Sequence, residues 1–256
     1  MTSTLLSSTT SQLLSVTTRG EILPSLDSSH TPVETDLSSL SNLLDTRHSV
    51  RAFLPLPVPI PALHTALSIA QLAPSNSNIQ NWRLHIVTGS ALASLSSKLS
   101  HAAQESNPRI PPLPPKYAHF RSELGAKVYG EAYGISRSNV AAKVEKERRN
   151  YTFFDAPVAG IVCMDKELAK HDALSVGMWL QSFTLALTAQ GLGSCVMVST
   201  AGYEEVVKET LGIGEELEVL CGVAIGYEDP EHAINKVVSG RMDWKECVVE
   251  VGELPK

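Results

Sequence analysis

The sequence predicts an α+β fold in which one sheet is covered by helices. Two patterns predict it. Short apolar or alternating runs ("RLHIVTG", "APVAGIVCMD", "SCVMV", "LEVLCGVAIGY") read as strands, and the stretches between them carry helical period. Composition agrees: 43% hydrophobic and 19% charged residues in a 256-residue chain are enough for a substantial core. No internal repeat is visible.

Residues 1–35 are rich in Ser and Thr and read as a flexible tail. They lack the basic and long apolar regions of a secretory signal, so a cytoplasmic protein is expected. A mitochondrial presequence is the weaker alternative, because Arg19 is the only basic residue before Glu21. The folded domain is expected over 36–256. Asp36 is a good N-cap for a helix whose Leu37, Leu40, Leu43 and Leu44 share one face. Prolines 55, 57, 59 and 61 then demand extended chain, and Pro61 suits the first turn of a helix running to about Leu72. "RLHIVTG" is a strand ending at Gly89, and "SALASLSSKLSHAAQES" is a helix by propensity. Residues 107–117, "NPRIPPLPPKY", form a proline-rich surface excursion, after which helical pattern resumes from about Glu123 to Arg149. "APVAGIVCMD" is a buried strand. "HDALSVGMWLQSFTLALTAQGLG" is a helix of about 20 residues, hence ~30 Å, with Gly191 as its stop. It is apolar on nearly every face, which predicts a central, buried position. "SCVMV" and "LEVLCGVAIGY" complete the strands, with the short helix "YEEVVKETLG" between them.

Several function classes are excluded. The formal net charge is −6, and the basic residues are scattered, which does not suit a phosphate backbone. The one basic run, "KVEKERRN", also carries two Glu and reads as a solvated helix face. Four well-separated cysteines (163, 195, 221, 247) offer neither metal spacing nor a disulfide framework. There is no unbroken apolar span for a membrane, no G-x-S-x-G, no H-E-x-x-H and no G-x-G-x-x-G, so no metal site is expected.

Two polar clusters remain. In "RHSVR", Arg47, Ser49 and Arg51 alternate, so an extended segment puts all three on one side. Two guanidiniums around a hydroxyl suit a phosphate monoester, and equally a surface pair salt-bridged to nearby acids. In "LAPSNSNIQNW", Ser75, Asn76, Ser77, Asn78 and Gln80 can all donate and accept. They suit a heterocycle or polyol, and equally a helix end followed by a turn.

With these motifs in view, the chain resembles the nitroreductase family, flavoenzymes that hold FMN without a Rossmann fold. "RHSVRAF", "APSNSNIQNW", "GLGSCVMVS" after a long helix, and "CGVAIGYEDPE" leading to Arg241 stand in the family's order from roughly Leu37 to Glu250. "RNYTFFDAPVAGIVCMD" further resembles members acting on nitrobenzoate-like aromatics. The resemblance implies a mainly antiparallel central sheet flanked by helices, and an intertwined homodimer with FMN at its interface. It implies that Arg47, Ser49, Arg51 and Arg241 bind the FMN phosphate and ribityl chain, with His48 contributing mainly backbone. Ser75, Asn76 and Asn78 would reach the flavin from the partner subunit, and Met197, Val198 and Ser199 would line its ring edge. The 105–150 excursion, with Tyr117, Phe120, Tyr129 and Tyr133, would cover a small aromatic substrate, although ordinary core packing accounts for each of those aromatics as well. One departure stands out: the family's Q-P-W is Gln80-Asn81-Trp82 here, which removes a φ constraint.

The implied activity is two-electron transfer from NADPH or NADH to a nitroaromatic or quinone-like acceptor, in two half-reactions. The flavin carries the chemistry, so no side chain is assigned as acid or base. Two alternatives stay open: a flavin-dependent oxidase or dehydrogenase of a small metabolite, and a non-catalytic FMN-binding protein.

Overall fold

The computed structural model describes residues 34–252, so the expected tail over 1–35 lies almost wholly outside the described residues. Seven helices and four strands alternate in the described chain: α1 (Glu34–Thr46), α2 (Ile60–Ala70), β1 (Trp82–Thr88), α3 (Gly89–Glu105), α4 (Ala118–Gly125), α5 (Val140–Arg148), β2 (Val158–Asp165), α6 (Lys170–Thr188), β3 (Gly193–Met197), α7 (Glu204–Leu211) and β4 (Leu217–Gly226). The first helix starts two residues before the expected cap at Asp36, and α2 stops short of Leu72. Helix α4 runs on into a wider π-helical turn over Ala126–Ala132.

The sheet has the order β1-β2-β4-β3, and every pair is antiparallel. Strands β2 and β3 both run antiparallel to β4 and hence parallel to each other, so α6 crosses over between them, and both faces of the sheet are covered. Strands β2 and β4 sit centrally and are buried on both sides, which is why their sequences read as continuous apolar runs rather than alternation. On one face, α2 and α6 pack through Ala66, Trp179, Phe183 and Leu187. Trp82, Trp179 and Phe183 stack at 5.9 and 5.4 Å between ring centroids, and both indole N–H groups donate to Gln71 Oε1. On the other face, α3 and α7 pack with Leu95, Leu99, Phe153 and Val207.

Just before β2, Phe153, Phe154 and Asp155 all take left-handed backbone, with φ of 53°, 55° and 62°. Each such non-glycine residue costs roughly 1–2 kcal/mol. Burying the two phenyl rings completely offsets this, at about 1.5–3 kcal/mol each.

Helix α6 corrects the expectation of a wholly buried element. Val176, Trp179 and Phe183 are buried, but Leu174 and Met178 on the outer side are 68% and 43% exposed. The outer strip of Leu174, Gly177, Met178 and Gln181 lines an open groove of about 670 Å³ with Pro74. Among the described residues nothing covers it. No helix among them is long and apolar enough to cross a membrane.

Candidate active site

The cationic cluster lies on an extended strap beside β3. Val50 N–H donates to Ser194 O at 3.0 Å, a parallel bridge joins Ser49 to Ser194, and Leu54 N–H donates to Tyr227 O at 2.8 Å. Alternation works as period two requires: Val50 and Ala52 are buried, while Arg47, Ser49 and Arg51 point the other way and are half-buried. Close approach depends on Gly193, where a Cβ would stand 2.7 Å from Val50 Cγ2. The strap is locked from outside by Asn235. Its Oδ1 accepts from Arg51 N and Ala52 N at 2.8 and 3.2 Å, and its Nδ2 donates to Ala52 O and Asp229 O at 2.8 and 2.9 Å. Nothing in the local sequence distinguishes Asn235, which lies more than 180 residues from Arg51 and Ala52. His48 bridges Thr46 O and Glu228 Oε1 at 2.8 and 3.1 Å.

Two recesses meet at β3. The smaller, about 150 Å³, is lined by Arg47, Ser49, Gln181, Thr184 and Val196. The larger, about 780 Å³, takes Arg51, Val196, Met197, Val198 and Ser199 as its floor. Val196, 40% exposed, is the wall they share. Along β3 the Met197 side chain turns into the core while Val198 faces out, so Met197 meets the recess mainly through backbone. Ser199 Oγ is buried with the Tyr151 hydroxyl near it but makes no hydrogen bond of good geometry, so a ligand could satisfy it.

The roof of the larger recess is the 107–150 excursion. Gly202 holds it, since Arg109 N–H donates to Gly202 O at 2.9 Å and Arg109 pairs with Glu205. Of the four aromatics expected over the substrate, Tyr129 lines the recess. Tyr117 and Phe120 are about 40% exposed and outside the lining. Tyr133 packs edge-on to His232 and receives Arg149 Nη1 at 3.4 Å. Burial, with Glu147 beside it, pushes the Tyr129 phenol well above its ordinary range. Burial and the neighbouring Tyr203 do the same for Tyr151. Both phenols therefore stay protonated and can only be neutral donors or acceptors. The run "KVEKERRN" is not simply solvated: Lys143, Glu147 and Arg148 of α5 face the recess.

The amide cluster lies elsewhere. It forms a tight turn at the start of α6, far along that helix from Gln181 and Thr184. Asn76 N–H donates to Ser175 Oγ at 3.1 Å, and Asn76 Nδ2 donates to Asp172 Oδ1 at 3.2 Å. Ser75 Oγ accepts from Gln80 N, and Gln80 Nε2 donates to Asn78 O. Ser77, Asn78 and Gln80 all have positive φ. Asn81, in place of the proline, is buried and donates to Asp172 O at 3.0 Å, so a hydrogen bond does the anchoring that a ring would have done. Within one chain this loop does not join either β3 recess. Arg241 is also apart, exposed and bonded to Ser239 and Gly240. Among the described residues no cluster could hold a metal ion.

An antiparallel four-stranded sheet, a cationic strap and a recess at the end of β3 define a class: the chain belongs to the nitroreductase family, whose model matches residues 44–227. Its relatives are nitro-group reductases. A 4-nitrobenzoate reductase of Pseudomonas putida is 33% identical over 199 residues, covering 75% of this chain and 86% of the relative. A nitrobenzene nitroreductase of Ectopseudomonas oleovorans is 31% identical over 225 residues, covering 84% and 97%. Among solved structures, the FMN and NADPH-dependent nitroreductase NfnB of Sphigopyxis sp. strain HMH superposes with a TM-score of 0.79 at 30% identity, covering 83% of this chain and 98% of that one.

Proposed function

We propose that this protein is an FMN-dependent oxidoreductase that takes two electrons from NAD(P)H and delivers them to a nitroaromatic or quinone-like acceptor in two half-reactions. The shared wall at Val196 carries the reading. It joins a small recess with a guanidinium and a hydroxyl to a larger, partly apolar one, matching a molecule with an anionic tail and a flat ring system. A volume of about 780 Å³ is also in the range of ~300–1,000 Å³ usual for small-molecule and cofactor sites.

The residues present fit FMN. Arg47, Ser49 and Arg51 would hold its phosphate and ribityl chain, and Ser199 Oγ is a buried polar atom without a well-formed hydrogen bond. When bound, FMN supplies the two-electron carrier that side chains lack. The chain orients the reactants: Asn235 fixes the strap, β3 presents backbone groups at 197–199, and the α4–α5 roof narrows the space in which donor and acceptor take turns.

We further propose a homodimer. The outer strip of α6 and exposed Leu37, Leu40 and Leu44 of α1 form apolar surface that a second copy would cover. Ser75, Asn76 and Asn78 of that copy would then approach the ring from across the boundary, and Arg241 would reach the phosphate.

The test uses the purified full chain. Expected are a flavin absorbance band, NAD(P)H oxidation dependent on 4-nitrobenzoate or a benzoquinone, and a sedimentation mass of two chains. Folded protein that stays colourless and takes up no added FMN would overturn the proposal.

A further inference from the structure

We infer that Arg121 and Arg148 form an anion subsite at the outer part of the larger recess, selecting acceptors that carry a carboxylate on an apolar ring. The inference rests on the proposed acceptor reduction and specifies its substrate.

The recess is lined by four cationic side chains, Arg51, Arg121, Lys143 and Arg148, and one anionic one, Glu147, on a chain of net charge −6. Their pairing differs. Lys143 Nζ lies 3.7 Å from Glu147 and over the Tyr129 ring. Arg51 belongs to the strap and donates to Ser49 O. The side chains of Arg121 and Arg148, both solvent-exposed, have no hydrogen bond, ion pair or ring contact among the described residues, and their charges act on the Tyr129 and Tyr203 phenols respectively. The neighbouring Arg109 and Arg149, by contrast, are both ion-paired. Two unpartnered guanidiniums from separate helices thus face one recess, whose other walls include Leu124, Val128 and Val198. That arrangement matches an amphiphile with an apolar body and an anionic end. Guanidinium is the side chain whose fork fits a carboxylate with two parallel hydrogen bonds.

Similarity alone leaves the point open, because the anionic nitrobenzoate and the neutral nitrobenzene appear as substrates of relatives at nearly equal identity. The charge of this recess favours the anion. A phosphate of the nicotinamide donor would offer related chemistry to the same two arginines, so the experiment separates the sources.

FMN-loaded enzyme is assayed with 4-nitrobenzoate and its neutral methyl ester, in the parent and in R121Q, R148Q and the double variant. The ratio of kcat/KM for acid over ester is expected to fall about tenfold or more in the double variant, the size of a lost charge-assisted hydrogen bond. Salt should erode the parent's preference but not the variant's. Calorimetric binding of benzoate against benzamide reads the subsite without turnover, so an enzyme that reduces neither acceptor yet loses benzoate affinity on substitution sinks the reductase proposal and supports the subsite. An unchanged acid-to-ester ratio and unchanged benzoate binding, in variants with parental melting and FMN content, overturn it. So does an effect confined to KM for NADPH relative to NADH, which would assign the arginines to the donor.

Discussion

Along the strap every second side chain is sealed, Val50 and Ala52 at 2% and 4% exposure, whereas from Ala118 to Arg148 only Val128 is buried. Floor and roof of the same recess thus have different physical constraints. The floor is fixed by backbone bonds to β3, by close approach at Gly193 and by the Asn235 clamp. The roof is held at its start by Gly202 and at its middle by Val128 packed with Ala52 and Ile234, and it carries most of the charge. Substitutions in the floor should change whether a cofactor is held, and substitutions in the roof should change what is reduced, with little effect on stability.

The largest expected effect is at the clamp. Asn235→Ala removes four hydrogen bonds to the strap and its surroundings and leaves buried backbone groups unpaired. Loss of about 2–4 kcal/mol and of FMN on dialysis is expected, read by thermal melting and flavin absorbance. Full FMN retention with a shift below about 0.5 kcal/mol would mean the floor is ordered by something else. Next is Gly193→Ala, whose new methyl meets Val50. About 1–3 kcal/mol of destabilisation is expected, recovered in part by adding Val50→Ala in a double-mutant cycle.

Alkaline pH should also act on the buried thiols of the core, with the raised Tyr129 phenol of the roof adding to the loss above about pH 10. Burial pushes the Cys163 thiol up to about 11 and the Cys221 thiol up to about 12, from an ordinary value near 9. A raised folded value gives stability that is complete below the unfolded value and is lost as pH rises through the folded one. Stability should therefore fall between about pH 9 and pH 12, by up to ~1.4 kcal/mol per pH unit for each such thiol. Cys221→Ala should flatten that slope in denaturant titrations, and an unaltered slope would rule the thiol out as its source. The smallest effect is in the roof. Glu147→Gln removes a half-exposed partner of Lys143 and should change stability by less than about 0.5 kcal/mol. It should raise, by a few-fold, the preference for the nitrobenzoate anion over its ester, and a lowered preference would contradict the charge argument.

What could be read from the sequence divides along the same line. The strands and helices were legible because their periods are local: β2 and β4 read as apolar runs, and Gly191 lies just past the end of α6. The alternation of Arg47, Ser49 and Arg51 was legible because a strap beside a strand keeps period two. Asn235 was not, since its bonds to Arg51 and Ala52 close a loop of most of the chain. The outer strip of α6 misled because apolar residues on all sides look alike whether a helix is buried by its own chain or left open. The α5 run misled in the opposite sense, since charged residues at a recess and at a free surface have the same composition. Phe153 and Phe154 gave no sign of left-handed backbone, which is a matter of tertiary packing overriding local preference.

Asp172 ties the amide-rich loop to helix α6. One carboxylate caps the first turn of α6 through Ala169 N–H and holds Asn76 on the neighbouring loop. If two copies meet along α6 as proposed, self-association and prosthetic-group loading become linked by mass action. Bleaching on dilution, reversed on concentrating, would then be a property of the whole assembly and not of either recess alone.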